Sequence, residues 1–241
     1  ADVNRRLQIS DDEIACWTDI ASKIRLNIDP ETGIAEQFNE YFKLRDFQVS
    51  ELDENRLPAW PDGVDLRKLH ETQLIKQADV IHAMYLLGDR FDDQTKRANY
   101  DYYLKRTVHR STLSASTYAL MALSLGEDSE AYQSFMRTIE ADIIDSQGSA
   151  GQGIHIASSA GGWMAAVLGF GGLKISGAGT LSFQSHLPPH WKRLRFRVIW
   201  HDQILEIDLS PDEAKVKRLT SQAEKQNSAV PILLNGQKVR C

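Results

Sequence analysis

The chain has 241 residues, with 28 Lys and Arg against 33 Asp and Glu, a formal net charge of −5, and 42% hydrophobic and 25% charged residues. That length supports a hydrophobic core without disulfide staples, and that composition excludes disordered, collagen-like and coiled-coil classes. With no dense Lys/Arg tract, there is no electrostatic footprint for a nucleic-acid backbone or an anionic membrane, so neither is an expected partner.

The first residues, Ala1 to Arg6, lack the apolar core of a signal peptide, and no apolar run of transmembrane length follows. A start on Ala in a polar helical register suggests a fragment or processed product. The two cysteines, Cys16 and Cys241, form neither a disulfide framework nor a metal-ligand spacing, which points to a reducing, cytoplasmic compartment.

Ser10-Asp11-Asp12-Glu13, followed by Ile14, Trp17, Ile20 and Ile24, predicts an N-capped helix ending near Asn27. Residues 29–65 carry Pro30, Gly33, Pro58, Pro61 and Gly63 without a sustained period and read as a long excursion. Helical spacing then returns over 71–87, 92–105, 114–125, 128–144 and 155–168. Beyond Gly171-Gly172 the period changes to two, predicting strands at 180–183, 194–200, 204–209 and 230–234, the last before an Asn235-Gly236 turn. The chain therefore reads as mainly α with a small β part, divided into a helical unit, 1–176, and a β unit, 177–241; helices first and strands later argue against a βαβ sheet.

Three stretches have chemical potential. Lys76, Gln77 and Asp79 lie in the second helical pattern; at about 100° per residue they cannot all face solvent on a helix, so at least one should point to a cleft or the core. Surface Lys and Gln, with Asp79 favouring the helix dipole, is the structural alternative. Thr107-Val108-His109-Arg110-Ser111-Thr112-Leu113-Ser114 is rich in hydroxyls and leads into a helix, which suits an anion or simply an N-cap. Gly148 to Gly153 form a Gly-rich loop with His155 at the mouth of the next helix, able to turn backbone N–H groups to an anion. It is neither a Walker loop nor a dinucleotide fingerprint, and His155 can equally be structural. The seven His show no metal-binding spacing, so no metal is expected.

In this order the stretches resemble glycoside hydrolase family 65, the inverting phosphorylases of maltose, trehalose, kojibiose and related α-glucosides. The resemblance rests on Gln37-Phe38-Asn39-Glu40-Tyr41-Phe42, Thr72 to Val80, Thr107 to Ser114, Gly153-Ile154-His155-Ile156-Ala157, Gly161-Gly162-Trp163, Gly169-Phe170-Gly171-Gly172 and Leu187-Pro188-Pro189-His190-Trp191, over nearly the whole chain. It implies the C-terminal half of an (α/α)6 barrel followed by a small β-sandwich-like domain. It implies that Lys76 and Gln77 bind the glucosyl unit, and that Ser111, Thr112, Gly153 and His155 bind inorganic phosphate, a co-substrate in place of any cofactor. The family's general acid, a Glu in an Asp-Glu-Tyr type motif, would lie upstream. Glu40 aligns with a different segment, where the family usually has Asp-Gly at 39 and 40, and is not assigned that role. The expected partners are a disaccharide, phosphate, and either the rest of the barrel or a second chain, as in a homodimer, since a half barrel leaves an apolar face open. A trehalase-like hydrolase of the same family and a non-catalytic carbohydrate-binding remnant are the alternative functions.

Overall fold

The structure, a computed structural model, describes residues 2–54, 57–145, 147–175, 179–201, 203–219, 232–234 and 237–239. The expected junction at 176/177, Val230, the Asn235-Gly236 turn and Cys241 lie outside these residues.

A short helix α1 (Asp2–Arg6) precedes α2 (Asp11–Lys23). The local sequence dictates the start of α2: the Ser10 hydroxyl accepts from the Glu13 amide at 3.2 Å, while the Ser10 amide donates to Glu13 Oε2 at 2.9 Å. Each bond satisfies an amide that the helix itself cannot. At Ile24 the backbone turns extended, so the helix stops short of the expected Asn27. None of its residues is buried, and Trp17, Ile20 and Ile24 are at least half exposed.

From 24 to 78 the chain makes single β-bridges and two 3-10 turns, Tyr41–Lys43 and Leu66–Glu71. The helix expected from 71 therefore does not form there. Gln73 donates its amide to the Arg45 carbonyl at 2.9 Å, Ile75 donates to Arg106 at 2.9 Å, and Val108 donates back to Ile75 at 3.0 Å. Remote backbone groups thus satisfy this segment in an extended form, and the helix α3 (Asp79–Leu86) starts only after it.

Four helices follow: α4 (Asp93–Leu104), α5 (Ser114–Ser124), α6 (Asp128–Ile139) and α7 (Ile156–Met164), the last running on as a π-turn over Ala165–Phe170. Helix α5 is buried from Ser114 to Leu123, which fits its small and apolar residues on every face. Two contacts orient α7 beside it. An added Cβ on Gly161 would lie 2.5 Å from Ser116 Oγ, and one on Gly169 would lie 2.6 Å from Leu123 Cδ1. Contacts that advance together along both segments mean that α5 and α7 run parallel. Gln77 with Ser111 and His82 with Thr117 show the same for α3. Helix α6 returns the other way, its Thr138 and Ile139 reaching Gly161 and Gly162. Helices α3, α5 and α7 therefore begin at one end of the molecule.

Seven strands complete the chain: β1 (Leu173–Ile175), β2 (Leu181–Phe183), β3 (Leu194–Trp200), β4 (Gln203–Leu209), β5 (Ala214–Leu219), β6 (Ile232–Leu234) and β7 (Gln237–Val239). They form one sheet of order β1-β2-β6-β7 and a second of order β3-β4-β5. The β3–β4 pair is antiparallel, with Leu194 opposite Leu209 and Trp200 opposite Gln203. Leu181, Phe183, Phe196, Leu205, Ile207, Leu209 and Ile232 pack as a second core. Trp191, ahead of β3, packs on the helical core, its ring 5.4 Å from Phe135 and 5.1 Å from Phe170, and Leu187 packs against both cores. Strands β1, β5 and β7 were not expected: β1 and β7 are only three residues long, and β5 alternates only over Ala214 to Lys217. Among the described residues no helix is long and apolar enough to cross a membrane.

Candidate functional site

Each of the three stretches immediately precedes one of the parallel helices. Lys76 and Gln77 are exposed in the bend ahead of α3 and not on a helix, so the helical geometry behind the expectation of a residue facing a cleft or the core does not apply, while Gln77 still reaches the buried Ser111. The bend, held by the Ile75–Thr107 bridge, already places both at the rim. Asp79, the first residue of α3, accepts from Gln37 Nε2 at 2.7 Å.

The loop before α5 is the most buried of the three. Thr107 donates its hydroxyl to the Tyr103 carbonyl at 2.8 Å and lies 2.6 Å from the Tyr118 hydroxyl. His109 adopts a left-handed φ of 47° and is buried, its Nδ1 2.9 Å from Ser114 Oγ. Burial first, and the nearby Arg137 charge second, push its imidazole down to about 3. It is neutral at ordinary pH and supplies no cation to an anion. Arg110 donates to Asp53 at 2.7 Å and stands over the Trp60 ring at 5.7 Å, so its charge is already answered. Ser111 is buried and donates its hydroxyl to Gln77 Oε1 at 3.2 Å, which links the first stretch to the second. Thr112 is half-buried beside it.

In the third stretch Gly153 has φ 112° and ψ 177°, a conformation that disfavours any side chain. Asp145 stabilises the preceding turn by accepting from the amides of Ser149 and Ala150 at 2.7 and 2.8 Å. His155 stands at the N-terminus of α7 and is half-buried. Asp142 accepts from its backbone amide at 2.8 Å through one oxygen and meets its ring Nδ1 with the other. These bonds, the ring one first, hold the Asp142 carboxyl below the usual carboxylate range. Gln147 Nε2 donates to the His109 carbonyl at 3.3 Å, tying the second loop to the third.

The fold thus brings Gln77 to Ser111 and the third loop to the second, and leaves Lys76 exposed at the same rim. Hydroxyls, a glycine turn and an imidazole thus stand ahead of neighbouring helix N-termini, a placement suited to an anion. Glu40 lies apart from this set, exposed, with φ 70° and a 2.7 Å pair to Lys43. Asp142 and Gln147 were missed by sequence reasoning. Asp142 falls in what the periodicity reads as the tail of a helix to 144, and only the actual end of α6 at Ile139 lets the chain turn it toward His155.

A family model, "Glycosyl hydrolase family 65 central catalytic domain", matches residues 1–164, and a second, "Glycosyl hydrolase family 65, C-terminal domain", matches residues 174–241. Kojibiose phosphorylase of Caldanaerobacter subterraneus subsp. tengcongensis is 43% identical over 90% of this chain and 28% of that protein. Alpha,alpha-trehalose phosphorylase of Geobacillus stearothermophilus is 32% identical over 92% of the chain and 29% of that protein. A solved structure described as a candidate kojibiose phosphorylase from human microbiome superposes with a TM-score of 0.78 at 26% identity, over 99% of this chain and 31% of that one. The chain spans less than a third of the length of these relatives.

Proposed function

The chain belongs to glycosyl hydrolase family 65, and from that membership we propose that it supplies the phosphate pocket and part of the sugar site of an inverting α-glucoside phosphorylase. The observation that carries this reading is the gathering of Lys76 and Gln77, Ser111 and Thr112, and Gly153 and His155 at the common end of α3, α5 and α7. Phosphorolysis with inversion requires phosphate on the ring face opposite the leaving group, in the place an inverting hydrolase gives to its activated water. One phosphate oxygen bonds to the anomeric carbon as the glycosidic C–O bond breaks, and the departing oxygen takes a proton from a carboxylic acid. The product is β-glucose 1-phosphate and a free sugar.

In this reading the hydroxyls of Ser111 and Thr112, the open backbone at Gly153 and the His155 ring hold the phosphate, which turns a bimolecular attack into a positioned one. The hydroxyls of Ser111 and Thr112 offer donors to an anion, and the carboxylate next to His155, Asp142, is taken up by the backbone amide and ring of that residue, which favours phosphate over an activated water. Lys76 and Gln77 bind the glucosyl unit common to all substrates. The acid comes from catalytic-domain sequence beyond these 241 residues. Identity over this segment does not sort the acceptor sugar: another kojibiose phosphorylase, from Halothermothrix orenii, is 32% identical, no more than the trehalose phosphorylase above.

The test is a crystal structure in phosphate together with steady-state kinetics of the complete enzyme on kojibiose, maltose and trehalose. An anion within hydrogen-bond reach of His155 and of Ser111 or Thr112 is expected. His155→Ala should raise the phosphate KM far more than the disaccharide KM. An anion bound elsewhere, or equal effects on both constants, overturns the reading.

A further inference from the structure

We propose that Asp142 is a positioning residue that fixes His155 with its hydrogen on Nδ1, so that Nε2 is presented to phosphate as a hydrogen-bond acceptor and the site selects protonated phosphate over sulfate. The inference rests on the reading that His155 contacts phosphate, and it adds which nitrogen does so and in which sense.

One carboxylate holds His155 at two points, Oδ2 at the backbone amide 2.8 Å away and Oδ1 at the ring. Gripping both the main chain and the ring leaves the imidazole little rotational freedom. An ionised carboxylate only accepts hydrogen bonds, so the Nδ1 it meets must carry the hydrogen. Those same bonds keep the Asp142 carboxyl ionised at neutral pH. A neutral ring with its hydrogen on Nδ1 has a lone pair on Nε2. Hydrogen phosphate has one P–OH to offer that lone pair, and sulfate has none. The bond to Nε2 also turns the protonated oxygen into the pocket wall, leaving an unprotonated oxygen to face the anomeric carbon.

The experiment uses the 241-residue chain at pH 8, where free imidazole is neutral and both anions are dianions. Long-range 1H–15N spectra of the His155 ring report the tautomer, and titrations with phosphate and with sulfate report affinity. The wild-type ring should carry its hydrogen on Nδ1 and prefer phosphate. In Asp142→Asn the amide oxygen still accepts from the His155 backbone, but the NH2 group donates to Nδ1, so the hydrogen moves to Nε2. The phosphate-to-sulfate preference should then fall by about tenfold, the scale of one hydrogen bond. Asp142→Glu, which keeps a carboxylate, should retain the wild-type tautomer and separate this effect from a general loss of folding. An Nε2–H tautomer in the wild type, or an unaltered preference in Asp142→Asn despite a switched ring, overturns the role given to Asp142. Unaltered phosphate affinity in His155→Ala overturns the phosphate reading itself.

Discussion

His109 and His155 stand before neighbouring parallel helices, and their surroundings set them to different tasks. His155 keeps a partly exposed ring ahead of α7. His109 is buried edge-on to Tyr118, with ring centroids 5.0 Å apart, and must stay neutral. The consequence for stability follows from linkage. The unfolded chain binds a proton at His109 near pH 6.5, whereas the folded chain does so only at about 3, so the unfolded state gains protons first as pH falls. The stability from keeping this ring neutral is fully present above pH 6.5 and is lost progressively between there and about 3. From pH 6.5 to 5 the loss should be on the order of 2 kcal/mol. Urea denaturation at several pH values should show this slope in the wild type and a flatter one in His109→Gln, whatever that variant loses at pH 7. An identical slope in both would show that His109 titrates normally.

At the scale of elements, glycine decides how closely α7 lies to α5. A Cβ on Gly161 would come within 2.7 Å of the Ser116 Cβ as well as 2.5 Å of its Oγ, and neither helix backbone yields easily. Gly161→Ala should therefore destabilise the chain by about 1 to 3 kcal/mol, although alanine is the better helix former. Adding Ser116→Gly should recover part of the loss, because it removes the atoms in the way; strictly additive urea midpoints would argue that the strain arises elsewhere. A displaced α7 would also move His155 at its N-terminus, so this packing bears on the candidate site as much as on the core. The same scale separates what local pattern reveals from what it hides. Ser10 and Glu13 predict the start of α2 because the capping box is made by residues three apart. The break before α3 was invisible, since the hydrogen bonds that hold Thr72 to Ile75 extended come from Arg45, Arg106 and Val108. Strand β5 was missed for a related reason: Ala214-Lys215-Val216-Lys217-Arg218-Leu219 is only half-buried and acquires its partner from β4.

Over the whole molecule, burial is uneven. The helical core centres on Tyr41, Tyr100, Tyr103, Tyr118 and Phe170, all nearly inaccessible, while α2 lies outside it with Trp17 and Ile20 about half exposed. Side chains that stay half in water withdraw only part of their apolar surface on folding and contribute less than core residues. The double variant Trp17→Ser/Ile20→Ser should accordingly lower the unfolding free energy of this chain by no more than about 1 kcal/mol in urea, the sum of two surface substitutions. A loss of several kcal/mol would mean that α2 packs against the core in solution.

The order of helices and strands, the family resemblance and the identity of Lys76, Gln77, Ser111, Thr112, Gly153 and His155 as candidates were all legible in the amino-acid sequence. Each rests on local information: helical and strand periods, a cap, or a short string of residue types. Which of these residues meet was not legible. That α3, α5 and α7 run parallel and start at one end depends on contacts such as Ser116 with Gly161. That Ser111 reaches Gln77 and Asp142 reaches His155 depends on where α6 and the bend before α3 stop. Those endpoints are set by hydrogen bonds and packing between segments far apart in the chain, and no local pattern records them.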